Sequence, residues 1–582
     1  MNIANDQLAQ IDKLQALSLD IKKAGFEQAV LIGMGGSSLG PAVLSSTFGR
    51  ISGFPQFYML DSTVPAQIKD IENKINIAKT IFIVSSKSGS TLEPNILKDY
   101  FYDKAKSKLG TEVAGKHFIA ITDPGSQMEQ VAKKDGFRHI FYGLPSIGGR
   151  YSVLSAFGMV PAAVMGLDVA HILDKAIYAS MFCSPTLPPF LNSAVILGLI
   201  LGISANHGKD KITFAISPAI ASFGAWLEQL LAESTGKSGK GLIPVDGEDL
   251  EQAPSYGQDR LFIYITLKGR TDPKQDKSIN DLEKAGSSVI RIELNDLYDI
   301  AQEFFKFEFA TAVAGSVMGI NPFNQPDVEA AKVATRKITS DYEKTNTLNI
   351  GSPVFTGAND VRPIEVFTDD DNWQKITLGS KPDSLVTILK SLFAQAKAGD
   401  YVAILAYVQM DEANEIALQK LRTILHHNLK LATCLGFGPR YLHSTGQVYK
   451  GGPNSGIFLE ITANDTIDLP VPDKKYTFSV VKTAQAIGDF QVLCERKRRA
   501  IRLHLKGDLA KGLSILEGLS VIDEHFCSRI VSNLSKASAN NLTPSLTNCS
   551  QTFSIEMPIC SRLFMIVSDS VNFVSSVLAN LP

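Results

Sequence analysis

No run of about 20 uninterrupted apolar residues, the length a bilayer-spanning helix needs, occurs in the 582-residue sequence. The nearest approach, around 194–203, is too short to span and fits a buried helix. The first residues, MNIANDQLAQIDKLQ, alternate polar and apolar side chains like an ordinary helix. They lack the apolar centre of a secretion signal. Cysteine is scarce and scattered: Cys183, Cys434, Cys494, Cys527, Cys549 and Cys560 form no CxxC pair, which argues against a disulfide framework. An excess of charge is missing too. Lys+Arg number 57 against 59 Asp+Glu, so no global basic field exists to hold nucleic acid or an anionic membrane. What remains is 45% apolar and 20% charged, enough for several buried cores and too apolar for a mostly disordered chain. The expectation is a cytoplasmic, reduced, multi-domain enzyme that partners neither nucleic acid nor membrane.

Short apolar runs at 28–33, 57–61, 80–86 and 117–123 each end in Gly, Ser, Thr or Asp, and amphipathic stretches follow them. That rhythm predicts a doubly wound parallel sheet, which gathers its site at the carboxyl ends of its strands. It restarts at Asp210, with strands predicted at 211–216, 261–267 and 288–294 and helices at 223–231 and 303–319. In the first of these helices Phe223, Trp226, Leu227, Leu230 and Leu231 recur at helical spacing. The shared plan is consistent with two copies of one domain type. Residues 341–400 are less regular and lead to a third unit, with strands at 401–408, 457–462 and 500–505 and helices at 412–429 and 482–499. Beyond about 520 Ser and Asn dominate, and this tail is expected to be poorly ordered and dispensable. Its apolar segment 564–567 is the part that could dock.

Two loops carry chemistry. Gly33-Met34-Gly35-Gly36-Ser37-Ser38-Leu39-Gly40 directly follows a strand. Glycines there let the backbone approach a ligand, and helix amides point at an anion. A dinucleotide fingerprint needs glycine where Ser38 stands, although Asp61 imitates the ribose-binding acid. A tight turn without a ligand is the other alternative. Ser85-Ser86-Lys87-Ser88-Gly89-Ser90-Thr91-Leu92-Glu93 also follows a strand and opens a helix. Its five hydroxyls and helix-start amides suit a phosphate without a metal. The Walker A spacing is absent. A capped helix would need one hydroxyl, Ser90 or Thr91, rather than five.

This pair of loops resembles the phosphate-binding domains of the glucose-6-phosphate isomerase family. Further segments agree in order: Gly148-Gly149-Arg150-Tyr151-Ser152, Ala232-Glu233-Ser234-Thr235-Gly236-Lys237, and the stretch from Asn321 through Gln325 to Lys332. The third unit, with Leu442-His443-Ser444-Thr445-Gly446-Gln447 and Lys450-Gly451-Gly452-Pro453, looks most like the isomerase part of bifunctional transaldolase/isomerase proteins. The resemblance covers about 27–520. It implies an α/β fold of two doubly wound parallel-sheet sugar-isomerase (SIS) domains, at 1–190 and 191–345, plus a C-terminal α/β unit at 346–520 and an atypical tail at 521–582. Only about 26 residues precede the first strand, too few for a transaldolase barrel of about 250 residues, so no transaldolase activity is expected.

The resemblance also implies reversible aldose–ketose isomerisation of glucose 6-phosphate and fructose 6-phosphate, with no metal and no cofactor. Isomerisation through a cis-enediol needs a phosphate anchor, a ring opener, a base, and positive charge beside the enediolate. The anchor is assigned to Ser86, Ser88 and Thr91, with Gly36 and Ser37 on the facing wall and Gln325 contacting phosphate. Glu233 is assigned as base, Arg150 as the cation, and Lys332 and His443 to ring opening. Gln325 and Lys332 are expected two turns apart on one helix face. Should Glu233 fail as base, Glu248 is the next candidate. Rival readings are a sugar-phosphate-sensing SIS protein and an isomerase of another hexose phosphate. A homodimer and a separate transaldolase chain are left open. Three other features read as bland: the run Glu495-Arg496-Lys497-Arg498-Arg499 as a solvated helix end, the His426-His427 pair as no metal site, and Cys434 as buried and inert.

Overall fold

The computed structural model describes residues 2–184, 186–252, 255–357, 364–378, 382–518 and 563–566. Its strands form three sheets. The first holds β1 (Gln28–Gly33), β2 (Gln56–Leu60), β3 (Thr80–Ser85), β4 (Phe118–Thr122) and β5 (His139–Tyr142), all parallel, in the order β2-β1-β3-β4-β5. Helices cover both faces, so its strands read as continuous apolar runs; Ala29 to Ile32 are wholly buried.

The second sheet contains β6 (Lys211–Ile216), β7 (Ile243–Val245), β8 (Arg260–Leu267) and β9 (Val289–Leu294) in the order β7-β6-β8-β9. This repeats the first four positions of the first sheet, as two copies of one plan require. The fifth position differs. In the first sheet it is β5, parallel. In the second it is Leu563–Ile566, running antiparallel to β9. Most of the tail lies outside the described residues, but this segment, overlapping the expected docking stretch, is a strand.

The third sheet comprises β10 (Phe355–Thr356), β11 (Ile364–Phe367), β12 (Tyr401–Tyr407), β13 (Ala432–Phe437), β14 (Gly456–Ala463) and β15 (Arg499–Leu505); the tail strand is therefore β16. The order is β10-β11-β15-β14-β12-β13, with β12 to β15 parallel and β11 antiparallel to β15. The stretch 341–400, which showed little periodicity, supplies β10, β11 and helices Asp370–Ile376 and Leu385–Phe393. Among the described residues no sheet closes into an eight-stranded barrel. No helix among them is long and apolar enough to cross a membrane.

One apolar core runs from Ile3 to Met318 and crosses the expected boundary at 190–191. The third unit has a core of its own. It also packs on both others: Val471, Tyr476, Phe478 and Val481 join Phe82 and Phe101 of the first, while Tyr401 and Tyr449 join Ala232 and Ile243 of the second. The basic run is part of this docking. Arg498 is buried and donates to the carbonyls of Lys450 and Gly452, Arg499 lies in β15 and pairs with Asp400, and Arg496 pairs with Asp327 at 2.7 Å. Arg498 and Arg499 are thus anchors between elements, while the helix end itself, Glu495 to Lys497, is exposed.

Candidate active site

At the carboxyl ends of β1 and β3 a cavity of about 310 Å³ lies between all three units, and every one of the ten candidate residues lines it. Its floor is the loop after β3. Thr91 occupies the N-cap position of helix Leu92–Leu109, yet its hydroxyl makes no capping bond. The hydroxyls of Ser85 and Ser86 are buried without a protein partner, so each keeps its hydrogen-bonding capacity. Ser88 and Ser90 hydroxyls lie 2.9 Å apart. Asn95 Nδ2 donates to the carbonyls of Gly89 and Thr91, both at 2.9 Å, and fixes the loop. Lys87 turns away to Asp123 and to the carbonyls of Leu144 and Pro145. The loop therefore turns the hydroxyl residues Ser86, Ser88 and Thr91 and a helix start toward the cavity, while the Lys87 ammonium is engaged with Asp123.

The facing wall is Gly35, Gly36 and Ser37. Gly35 sits at φ +56°, and a Cβ there would stand 2.7 Å from the carbonyl oxygen of His443. A Cβ on Gly36 would stand 2.0 Å from the carbonyl oxygen of Gly149. These glycines admit close backbone neighbours, which is why the motif is glycine-rich without being a dinucleotide loop. Asp61 accepts from Ser38 at 3.4 Å and pairs with Arg440 at 3.0 Å, so it is not placed as a ribose-binding acid.

Glu233 and Arg150 meet at the opposite end, with Arg150 Nη1 3.2 Å from Glu233 Oε1. Helix Phe223–Thr235 runs further than its apolar periodicity suggests and carries Glu233 in its last turn. One turn back, Gln229 Nε2 donates to Glu233 Oε2 at 3.0 Å and to the His443 carbonyl at 2.8 Å. Arg150 is buried. Its Nε donates to Ser234, Nη1 to Gln325, and Nη2 to the carbonyls of Pro322 and Asn324. With the Glu233 ion pair added to these four hydrogen bonds, Arg150 acts as a hub that places Glu233 and Gln325 while lending its charge. Lys237 secures the same loop through the Asn321 carbonyl at 2.8 Å and Asn324. Burial, then the nearby Arg150 charge, pushes its ammonium down to about 8. Gln325 lies in the loop before helix Val328–Thr345 and not inside it; Lys332 is in that helix's second turn. They still share the cavity.

The third unit closes the site. The short helix Arg440–His443 places His443 Nε2 2.9 Å from Glu93 Oε1. A carboxylate only accepts, so Nε2 carries the proton toward Glu93 and Nδ1 is the nitrogen left to exchange protons. Burial works to raise the Glu93 pKa, but the charge and hydrogen bond of His443, with Lys332 behind, hold it below the usual carboxylate value.

The family model described as phosphoglucose isomerase matches residues 20–248. Glucose-6-phosphate isomerase of Staphylococcus saprophyticus is 30% identical over 357 residues, covering 53% of this chain and 79% of that protein. The chain belongs to the phosphoglucose isomerase family. Glucose-6-phosphate isomerase of Methanocaldococcus jannaschii is 28% identical over 356 residues, 55% of this chain and 85% of its own length. A hypothetical protein of Thermus thermophilus is similar in structure, with TM-score 0.52 and 25% identity over 58% of this chain and 89% of that one. None of these relatives speaks for the transaldolase link.

Within this phosphoglucose isomerase relative, sequence reasoning passed over three positioning groups. Glu93 was visible as the last letter of the cradle motif. Gln229 was signalled by its i, i+4 spacing to Glu233. Lys237 stood in the motif after Glu233. Glu248, the reserve base, is buried away from the cavity, paired with Arg260 at 2.9 Å and accepting from Thr433. Cys434 is buried, its thiol pushed up to about 12 by burial, and Nδ1 of His426 lies 2.8 Å from the Leu431 carbonyl oxygen.

Proposed function

We infer that this chain is an aldose–ketose isomerase that interconverts glucose 6-phosphate and fructose 6-phosphate. The observation that carries the reading is the convergence of a hydroxyl-lined anion cradle, a carboxylate and a histidine on one cavity of about 310 Å³. Family membership agrees with it.

The substrate's phosphate fits the loop of Ser86, Ser88 and Thr91, where hydroxyls and amides supply charge-assisted hydrogen bonds. Gly36 and Ser37 form the facing wall and Gln325 reaches in from the side. His443 then carries a proton from the C1 hydroxyl to the ring oxygen. The C1–O5 bonding pair moves onto oxygen and the O–H pair becomes the carbonyl, with Lys332 supplying positive charge nearby. Glu233 takes the C2 proton of the open-chain aldose and returns it to C1, while the O2 hydroxyl proton passes to O1, so that the aldehyde becomes the C1 alcohol and C2 the ketone by way of a cis-enediolate. Arg150, paired with Glu233, stabilises that developing negative charge through its field and keeps the carboxylate aimed. Neither the hydroxyl cradle nor the carboxylate calls for a metal.

The test is a coupled assay on the purified chain with glucose 6-phosphate, fructose 6-phosphate and mannose 6-phosphate, together with exchange of the C2 proton in D₂O. Interconversion of the first pair with C2 exchange is expected. Substrate binding without either signal would reduce the chain to a sugar-phosphate sensor.

A further inference from the structure

A hydrogen-bonded chain runs from the third unit into the first. Gln485, in helix Phe478–Glu495, is 2% exposed. Its Nε2 lies 2.7 Å from Glu93 Oε1, and its Oε1 accepts from the Thr63 hydroxyl at 2.6 Å. The amide can face only one way. The carboxylate has no proton to offer, so the NH₂ must point at Glu93, and the Thr63 hydroxyl fits the carbonyl oxygen. One carboxylate oxygen thus receives two donors, Gln485 Nε2 and His443 Nε2, and both come from the third unit.

The topology explains why they come together. In the third sheet β12 and β14 are neighbours. The helix after β12, Glu412–Leu429, leads outward to β13 on one side, and the helix after β14, Phe478–Glu495, leads to β15 on the other. A reversal of this kind leaves a crevice beyond the strand ends, where doubly wound sheets hold their ligands. Here the first unit fills that place. Arg440 Nε reaches Asp61 at 3.0 Å, Met410 N reaches Gln67 at 3.5 Å, and Gln485 reaches Thr63 and Glu93.

We propose that Gln485 is a positioning residue for ring opening, acting through Glu93 on His443, and that the third sheet's crevice serves to complete a neighbouring site instead of holding a ligand of its own. The proposal rests on the isomerase reading above. The titratable groups that face Glu93 are His443 from the turn after β13 and Lys332 from helix Val328–Thr345, whose charges favour the carboxylate, and Tyr407 at the end of β12, a neutral phenol whose ionisation Glu93 opposes. Gln485 is the uncharged donor among them. Without it the carboxylate oxygen that meets His443 loses its other side-chain donor, and the histidine ring is less firmly oriented.

The experiment compares the full chain with Gln485→Leu and Gln485→Glu. Three quantities are read: turnover of glucose 6-phosphate against pH, the rate of anomer exchange by NMR, and affinity for an open-chain aldonate phosphate. That acid resembles the enediolate and needs no ring opening. Gln485→Leu is expected to lower turnover and anomer exchange by about tenfold or more, in the range a disturbed proton-transfer group causes. Aldonate affinity should stay within about threefold. Gln485→Glu is nearly isosteric but sets a second carboxyl beside Glu93. Two such groups cannot both ionise comfortably, so the variant should be impaired at about pH 8 and recover toward wild type near pH 6, where a shared proton restores the donor. A residue that merely filled space would show no such pH shift, and this variant decides the matter even where Gln485→Leu fails to fold. Wild-type turnover and pH profile in both variants would overturn the proposal, as would a parallel loss of aldonate affinity. Absence of isomerisation by the wild-type chain would instead sink the reaction assignment, and this inference with it.

Discussion

His443 and Glu93 stand 350 positions apart in the chain and 2.9 Å apart in space. The contact joins the third unit to the first helix turn after the hydroxyl loop, so the anchor and the ring opener proposed above share one carboxylate. Its protonation state therefore matters to both.

The first prediction follows from that carboxylate. Burial opposes its ionised form, yet the charge and hydrogen bond of His443 and the charge of Lys332 outweigh burial and lower its pKa below 4.5. A group depressed in this way contributes stability above its unfolded pKa and loses it as pH falls through the folded value. The gap in urea midpoint between wild type and Glu93→Gln should thus be steady at neutral pH and narrow below about pH 4.5. A gap that held down to about pH 3 would mean that the pair is not ionic.

Glu233→Gln should separate base from ring opener. Isomerisation and C2 deuterium exchange are expected to fall by about 10²–10⁴-fold, because the amide cannot accept the proton. Anomer exchange should persist, since His443 and Glu93 are untouched. Loss of both signals together would place Glu233 in ring opening as well.

Ser86→Ala should weaken sugar-phosphate binding without weakening the fold. Its hydroxyl is buried with no partner, so removing it breaks no bond in the free protein. Each lost contact to the phosphate is worth about 0.5–3 kcal/mol. Thr91→Ala belongs to the same class. A Thr that caps a helix loses about 0.5–2 kcal/mol when truncated, but Thr91 makes no capping bond and its melting point should barely move. Calorimetric titration with glucose 6-phosphate beside thermal melts checks both.

Truncation after Gly518 should harm solubility. It removes β16 and bares the backbone edge of β9, and an unpaired edge strand is a template for association. Light scattering of the truncated chain should rise with time at concentrations where the full chain stays clear. A clear, fully active truncation would restore the view of the tail as dispensable.

How legible these features were depends on how local they are. The central strands announced themselves, because parallel strands buried on both faces are continuous apolar runs. β5 did not: His139–Tyr142 is a four-residue edge strand, only part-buried, whose apolar run is three residues long. β7 hides for a similar reason, being three residues around Pro244. At the site, the cradle and the glycine loop were readable because their function lies in a contiguous backbone turn. The work of Arg150 was not, since its partners stand 83 to 175 residues away and only the fold reveals them. Nor could His443 be tied to Glu93 by any spacing rule. The place where the tail's apolar segment docks was not readable for a different reason: strand pairing with β9 is chosen by an open sheet edge, which composition does not show.

His443 and Glu233 reach the same cavity from the same polypeptide. Their mutual concentration is therefore set by the chain itself and is unaffected by how thinly the protein is spread. In a site shared across subunits, turnover per molecule falls once dilution passes the dissociation constant. Here specific activity should run level through serial dilution, down to the limit of detection, whatever assemblies form at higher concentration.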